Sequence, residues 1–254
     1  IRNLFCLELL HDTRVSNTIK SGTSFWQSLL NMFNHLELED RFFAPSSLDL
    51  CLKEQRNLFY LFQAYQPKAS IFNPYTIKWI LSDVIEQVLG YQGNTFFTPV
   101  LSWSAYLMAF MHSSYSTYVG VDVMPSVCEK NIFLVDWYAR RGHLKSKSTR
   151  ILCQRSETLD LPEYLNYFDT IMVCPPYYNM EIYAEGPQST SSYPDYKSWL
   201  EEYWRATVSR CHAFSKQGGV FALIINDYQD LHGRYFPLIA DLDAITGEYY
   251  TLCS

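Results

Sequence analysis

Apolar residues recur at helical spacing through the first part of the chain. They fall three to four positions apart in residues 23–36, and a similar pattern follows up to Pro67. We therefore predict a helical N-terminal extension over residues 1–70. A further helix is predicted to begin at Asn73, which is a good N-cap residue, and to end near Gly90.

From residue 94 onward, short apolar strands alternate with helices. Such near-continuous apolar runs are typical of parallel strands buried on both faces, and their alternation with helices predicts an α/β fold. We expect one domain over residues 71–254, with a mostly parallel sheet flanked by helices. Ligands of such folds bind beyond the carboxyl ends of the strands. The predicted strands are 94–100, 117–123, 149–154, 168–174 and 220–227.

The composition narrows the classes of function. The net charge of −6 argues against non-specific coating of nucleic acid, which needs a broadly basic surface. The seven cysteines are odd in number and contain no Cys-x-x-Cys spacing, which favours reduced thiols in an intracellular protein over disulfides or a metal site. No apolar run approaches the roughly 20 residues of a membrane span, so we expect no membrane association.

One motif stands at the end of the fourth predicted strand, in the stretch "IMVCPPYYNMEIY" at residues 171–183. Proline cannot donate to a strand ladder, so we expect the two prolines to form a rigid turn that leaves the strand. A strand followed by Cys174-Pro175-Pro176-Tyr177 resembles the Asp/Asn/Ser-Pro-Pro-aromatic motif of S-adenosylmethionine-dependent amino-methyltransferases of DNA. The resemblance implies a Rossmann-like methyltransferase fold.

The chemistry of that family gives each motif residue an expected role. An exocyclic amine is a poor nucleophile, because its lone pair is delocalised into the ring, so acceptors must hold it as it attacks the methyl group. The resemblance implies that the Pro175 carbonyl and the Cys174 side chain hold the amine, while Tyr177 stacks on a flipped base. Tyr178 is expected to form a second wall. Cys174 precedes the prolines, so we do not expect it to act as a covalent nucleophile.

The same resemblance implies the residues that would bind the cofactor, S-adenosylmethionine. Asp122 ends the second strand, where an acid accepts hydrogen bonds from ribose hydroxyls. The family's glycine-rich loop is replaced by a loop containing Ser102, and serine resists the positive φ that glycine accepts. The other cofactor-binding residues that the resemblance implies are Phe72, Asn73, Thr98, Pro99, Ser156 and Glu157.

Three functions remain open at this stage. The leading expectation is methylation of a DNA base, with cytosine N4 slightly favoured and adenine N6 next. The second keeps the cofactor but modifies RNA or a protein glutamine amide. The third is a degenerate methyltransferase fold that serves as a binding subunit, and a homodimer or a partner subunit also stays open. A basic loop either contacts DNA phosphates or is simply solvated; its candidate contacts are Arg140, Arg141 and Lys145.

Overall fold

A computed structural model describes residues 14–15, 72–144, 146–182, 188–230 and 232–253 of the 254-residue chain. Most of the predicted helical extension over residues 1–70 therefore lies outside the described residues, as does Lys145. The described part of that extension is strand β1 (Arg14–Val15), which pairs antiparallel with β6 (Glu181–Ile182).

The five predicted strands form one sheet, in which every neighbouring pair is parallel. The order across the sheet is β4-β3-β2-β5-β7. The chain therefore starts in the middle of the sheet, builds outward through β3 and β4, and then returns to the other side of β2. The strands are β2 (Thr95–Thr98), β3 (Thr117–Asp122), β4 (Ser148–Cys153), β5 (Phe168–Val173) and β7 (Ser215–Leu223).

Helices connect most of the strands as the sequence pattern predicts, whereas β4 and β5 are joined by two short 3-10 turns. The first begins at its N-cap Asn73, whose side chain accepts a hydrogen bond from the backbone N–H of Tyr75 at 3.0 Å. A short antiparallel pair, β8 (Tyr228–Gln229) and β9 (Tyr235–Phe236), follows the sheet. The helices are α1 (Pro74–Trp79, continued as a π-helix over Ile80–Val88), α2 (Ala105–Met111), α3 (Pro125–Arg140), α4 (Ser189–Ser192), α5 (Tyr196–Ser198, continued as a π-helix over Trp199–Arg205), α6 (Ala206–Phe214) and α7 (Leu238–Thr246).

Both faces of the sheet are buried, because successive strand residues point to opposite sides. Phe96 belongs to a core cluster with residues of α1, α2 and α3, whereas its neighbour Phe97 packs with Phe168 and Phe214 on the other face. The rings of Phe97 and Phe168 stack at 4.9 Å. Helices thus cover both faces of a parallel sheet, which defines a Rossmann-like α/β fold and confirms the predicted fold class.

The glycine pair at 218–219 lies inside β7, beyond the end of helix α6 at Phe214. Gly218 has φ +77°, and a Cβ atom on Gly219 would lie 2.9 Å from the carbonyl oxygen of Lys216. The register of β5 and β7 shifts here, so the glycines form a bulge where two backbones approach closely.

Asp169 anchors the edge of the sheet where the strands begin. Its carboxylate accepts hydrogen bonds from the backbone N–H groups of Asn94 and Thr95, both at 2.9 Å. It also forms an ion pair with Lys216 at 2.7 Å. These contacts join the starts of β2, β5 and β7. The opposite edge, where the strands end, carries the candidate site.

Candidate functional site

A cavity of about 310 Å³ lies at the carboxyl edge of the sheet. Its volume falls within the range of small-molecule pockets. It also lies where the strand order reverses between β2 and β5, which is the usual place for a ligand in this fold. Ten of the residues predicted from the sequence line it together: Phe72, Pro99, Ser102, Asp122, Ser156, Glu157, Cys174, Pro175, Pro176 and Tyr177.

Asp122 provides a buried carboxylate on the cavity wall. It ends β3 with only 9% of its surface exposed, and its Oδ1 accepts a hydrogen bond from the backbone N–H of Met124 at 3.0 Å. Burial raises its pKa to about 6, although the backbone N–H groups of Met124, Leu101, Val123 and Ser102 lower it in part. The group is therefore a strong acceptor near neutral pH and becomes a neutral acid below about pH 6.

The loop after β2 takes the shape that glycines would give it. Ser102 and Ser104 have φ of 53° and 63°, in the left-handed region that we expected serine to resist. The loop is tied to β3, because the backbone N–H of Leu101 donates to the carbonyl of Val121 at 2.8 Å. Tertiary contacts therefore hold two serines in a conformation that glycine adopts at less cost.

The Cys-Pro-Pro turn begins where β5 ends. The last carbonyl of the strand, at Val173, accepts a hydrogen bond from the backbone N–H of Ile224 at 2.9 Å, and both prolines lie beyond this ladder. Cys174 is half-buried and Pro175 is buried. The turn therefore presents a rigid stretch of backbone and one thiol to the cavity.

Tyr177 continues this wall of the cavity in a fixed orientation. Its hydroxyl accepts a hydrogen bond from the backbone N–H of Asn226 at 3.0 Å, and its ring meets that of Tyr228 edge-on, with centroids 5.9 Å apart. Tyr228 is fixed in turn, because its hydroxyl donates to the Asn179 side chain at 2.6 Å. Two tyrosines thus border the cavity beside the turn.

The structure places Tyr178 away from the cavity. Its ring packs against Tyr196, Trp199 and Phe236, with centroids 5.5, 6.1 and 5.8 Å away. Tyr228 lines the cavity instead, in the place that we predicted for Tyr178 as a second wall.

Two other predicted residues also lie outside the cavity lining. Asn73 is occupied as the N-cap of α1, and Thr98 is fully buried with its hydroxyl 2.7 Å from that of Tyr118. Both therefore support the elements that surround the cavity.

Glu157 and Ser156 line the cavity beyond β4. The Glu157 carboxylate is held by Arg155 at 3.2 Å and by the Tyr193 hydroxyl at 2.9 Å. Burial raises the pKa of Tyr193 to about 12, and the hydrogen bond to Glu157 adds to that shift. Ser156 is buried, with its hydroxyl 3.4 Å from that of Thr207. The acid is thus positioned by two neighbours.

The basic loop lies at the opposite edge of the sheet. Helix α3 starts at the carboxyl edge and runs about 24 Å to Arg140, given its 16 residues. Arg141 lies over the ring of Trp137 at 3.8 Å. Lys147 donates to the carbonyls of Phe110 and Ser113, at 3.1 and 2.9 Å. Neither Arg140 nor Arg141 lines the cavity.

Several cavity residues carry no signal in the sequence. Tyr106 lies in an ordinary apolar helix pattern, and Ser189 lies in a polar stretch with no distinctive motif. Both are buried with hydroxyls that have no hydrogen-bond partner. Only the fold brings them to the cavity, together with Trp103, Met180, Gln188, Tyr203 and Tyr228.

Two kinds of feature are missing from the described part of the chain. It contains no cluster of three or more His, Cys, Asp or Glu side chains that could hold a metal ion. Nor does it contain a helix with the length and apolar character needed to cross a membrane.

No protein-family model matches the chain, and no curated protein does. It is similar to solved structures of low identity. The MccD protein is 12% identical, with 59% of this chain and 51% of that chain covered and a TM-score of 0.37. A S-adenosylmethionine-dependent methyltransferase from Clostridium acetobutylicum ATCC 824 is 15% identical, with 69% and 64% covered and a TM-score of 0.42.

A third similar structure is the 1,6-didemethyltoxoflavin-N1-methyltransferase of Burkholderia thailandensis, with bound 1,6-didemethyltoxoflavin and S-adenosylhomocysteine. It is 14% identical, with 82% of this chain and 81% of that chain covered and a TM-score of 0.38. The chain spans less than two thirds of the length of the first two structures. The order and direction of the strands define the fold.

Proposed function

We propose that this chain is a S-adenosylmethionine-dependent methyltransferase that modifies a planar amino group, with a DNA base as the leading substrate. One observation carries the proposal. The Cys174-Pro175-Pro176-Tyr177 turn lines the same cavity as Asp122, which ends β3, and Ser102, which lies in the loop after β2. Motif, acid and loop thus meet at one edge of the sheet, as the resemblance requires.

The residues of the cavity fit the cofactor. Asp122 offers an acceptor for ribose hydroxyls, Ser102 and Ser104 give the loop a glycine-like shape, and the buried Tyr106 and Ser189 hydroxyls lack partners. Two departures from the family's pattern favour the alternative of a degenerate binding subunit: the serine loop, and Cys174 in place of Asp, Asn or Ser. The glycine-like shape of the loop weakens the first of them.

The chain's own residues would orient the target amine. S-adenosylmethionine, when bound, supplies an electrophilic methyl group. The Pro175 carbonyl accepts a hydrogen bond from the amine, and the Cys174 thiol provides a second polar contact. Tyr177 borders the flat ring of the base. Holding the reactants in this geometry then supplies most of the rate acceleration. Cytosine N4 is favoured over adenine N6, because Cys174 is close in size to the Ser of that branch.

A protein glutamine amide is the second candidate substrate, and the charge of the cavity favours it. Among the described lining residues, Asp122, Glu157 and Asp227 are acidic, while the basic Arg155 is paired with Glu157. Such a lining suits a neutral amide better than a polyanion. Arg140 and Arg141, the candidates for phosphate contacts, lie at the other edge of the sheet.

A transfer assay tests the proposal. The protein is incubated with S-adenosylmethionine carrying a labelled methyl group, in separate reactions with mixed DNA, mixed RNA and a glutamine-containing peptide library. Mass spectrometry then identifies the modified nucleoside or residue. Label on cytosine N4 or adenine N6 of DNA supports the leading proposal, and label on glutamine supports the second. If the protein binds the cofactor but transfers no methyl group, the methyltransferase proposal is wrong.

A further inference from the structure

Tyr106 has a buried hydroxyl that the protein leaves unused. The residue is fully buried in α2, lines the cavity, and its hydroxyl has no hydrogen-bond partner. Two other buried tyrosines on the same face of the sheet are satisfied: Tyr118 lies 2.7 Å from the Thr98 hydroxyl, and Tyr115 lies 2.7 Å from that of Thr170. An unsatisfied buried hydroxyl costs about 1–3 kcal/mol, so its retention beside a cavity points to a ligand.

The hydroxyl of Tyr106 can only act as a neutral donor there. Burial raises its pKa well above the ordinary value; the charge of Cys174 raises it further, while the Cys174 backbone offsets part of the shift. The protonated phenol, which can donate a hydrogen bond, is therefore the favoured form. Its interaction with Cys174 also places it at the end of the cavity beside β5, next to the Cys-Pro-Pro turn.

The positions of the other polar groups indicate which part of a ligand reaches Tyr106. Ser156 follows β4, Asp122 ends β3, the serine loop follows β2, and Cys174 follows β5, in the same order as the strands. A cofactor with its adenine near Ser156 and its ribose on Asp122 extends its amino-acid end towards Tyr106. The hydrogen-bond acceptor at that end is a carboxylate.

We infer that the Tyr106 hydroxyl donates a hydrogen bond to the carboxylate of the methionine part of bound S-adenosylmethionine. The inference rests on the proposed function and adds a residue to it that the sequence motifs do not include. It makes Tyr106 a cofactor-binding residue of α2. Its contribution depends on the carboxylate and is independent of the adenine and ribose contacts.

A comparison of two ligands tests the inference. Calorimetry measures the affinity of the wild type and of Tyr106→Phe for S-adenosylmethionine and for decarboxylated S-adenosylmethionine, which lacks only the carboxylate. We expect the substitution to weaken binding of S-adenosylmethionine by between about 10-fold and 100-fold, as for hydrogen bonds to charged groups. Binding of the decarboxylated compound should not change. The melting temperature of the unliganded variant should not fall, because the hydroxyl has no hydrogen-bond partner in the protein to lose.

Tyr115→Phe is the matched control. It removes a buried hydroxyl that does have a protein partner and that lies outside the cavity lining. We expect it to lower the melting temperature and to leave both affinities unchanged.

The possible failures are distinguishable. If Tyr106→Phe weakens both compounds equally, or neither, the carboxylate contact is wrong while the proposed function stands. If the wild type binds neither compound, the proposed function fails and the inference fails with it.

Discussion

The hydroxyl oxygen of Tyr177 accepts a hydrogen bond from the backbone N–H of Asn226 at 3.0 Å. This contact joins the turn after β5 to the segment after β7. A second link, from the Ile224 N–H to the Val173 carbonyl, lies on the other side of Cys174. The Cys-Pro-Pro-Tyr turn is therefore held at both ends, and the Tyr177 ring is fixed beside the cavity before any substrate arrives.

Replacing Tyr177 should affect substrate more than folding. We expect Tyr177→Ala to lose roughly 1–3 kcal/mol of stacking energy with a base. This loss should weaken productive binding of the substrate and lower kcat/KM. Tyr178→Ala is the control, because that ring packs in an aromatic cluster away from the cavity. It should lower the free energy of unfolding by about 3 kcal/mol and leave kcat/KM nearly unchanged. Steady-state kinetics and urea unfolding of both variants separate the two roles. Full activity of Tyr177→Ala would mean that the turn is structural.

Asp122 should make cofactor affinity depend on pH. Ribose hydroxyls donate to the charged carboxylate, and burial raises the pKa of this group to about 6. We therefore expect the affinity for S-adenosylmethionine to rise as pH increases through about 6 and to level off above pH 7. Asp122→Asn should weaken binding at pH 7 by about 1–3 kcal/mol and remove most of this pH dependence. Calorimetry from pH 5 to pH 8 measures both effects, and an unchanged affinity in the variant would remove Asp122 from the site.

The same carboxyl should affect stability in the opposite direction. The pKa of Asp122 is raised above its ordinary value of 3.8, so the folded chain holds this proton more tightly than the unfolded chain. Its contribution to the free energy of unfolding therefore falls as pH rises from about 4 to about 6. At pH 7, Asp122→Asn should be more stable than the wild type by about 1–3 kcal/mol, and the difference should vanish near pH 4. Urea unfolding at the two pH values checks the sign.

Several features of the fold and the site were predictable, because they depend on local patterns. Apolar runs and turn residues predicted the five strands and their alternation with helices. The N-cap role of Asn73 follows from its side chain and from the proline after it. The placement of Cys174 at the carboxyl edge follows from the end of the apolar run before it.

Other features depend on tertiary contacts that a linear pattern does not contain. Tyr228 lies fifty positions beyond Tyr178 in the chain. The conformation of the turn after β5 determines that Tyr228, and not Tyr178, lines the cavity. A glycine pair typical of a helix end serves as a bulge at Gly218, because β5 approaches β7 closely there. The unsatisfied Tyr106 hydroxyl is visible only when its surroundings are known.

Replacing a serine of the loop after β2 by glycine should relieve backbone strain. Ser104 has φ 63°, which strains any residue with a Cβ atom, and its buried hydroxyl has no partner. We expect Ser104→Gly to raise the free energy of unfolding by about 1 kcal/mol without weakening cofactor binding. Ser209→Gly is the control, because this exposed serine lies in the middle of helix α6, where glycine should cost about 0.5 kcal/mol relative to serine. Thermal unfolding of the two variants compares their stabilities. If both glycine variants are less stable than the wild type, then Ser104 is not strained in the loop.

The arginines of the basic loop should not contact DNA that is bound with a base in the cavity. Arg140 and Arg141 lie at the edge of the sheet opposite the cavity, so phosphates flanking a base in the cavity would not reach them. We expect the double variant Arg140→Gln, Arg141→Gln to keep the salt dependence of DNA binding measured for the wild type. If the slope of the logarithm of the DNA-binding constant against the logarithm of the salt concentration is smaller in magnitude by roughly two in the double variant, both side chains contact phosphates.

Cys174 should act by shape and polarity. The thiol follows β5 directly and lines the cavity, but the prolines come after it, unlike the order in enzymes that form a covalent bond to cytosine. We expect Cys174→Ser to keep much of the activity, because a hydroxyl of similar size can also contact the amine. Cys174→Ala should be slower than Cys174→Ser, yet far from the loss of many orders of magnitude that follows removal of a nucleophile. Methyl-transfer rates of the three proteins order these roles, and mass spectrometry of the wild type with DNA should detect no covalent adduct. An adduct through Cys174, or an inactive Ser variant that still binds the cofactor, would show that the thiol itself performs the chemistry.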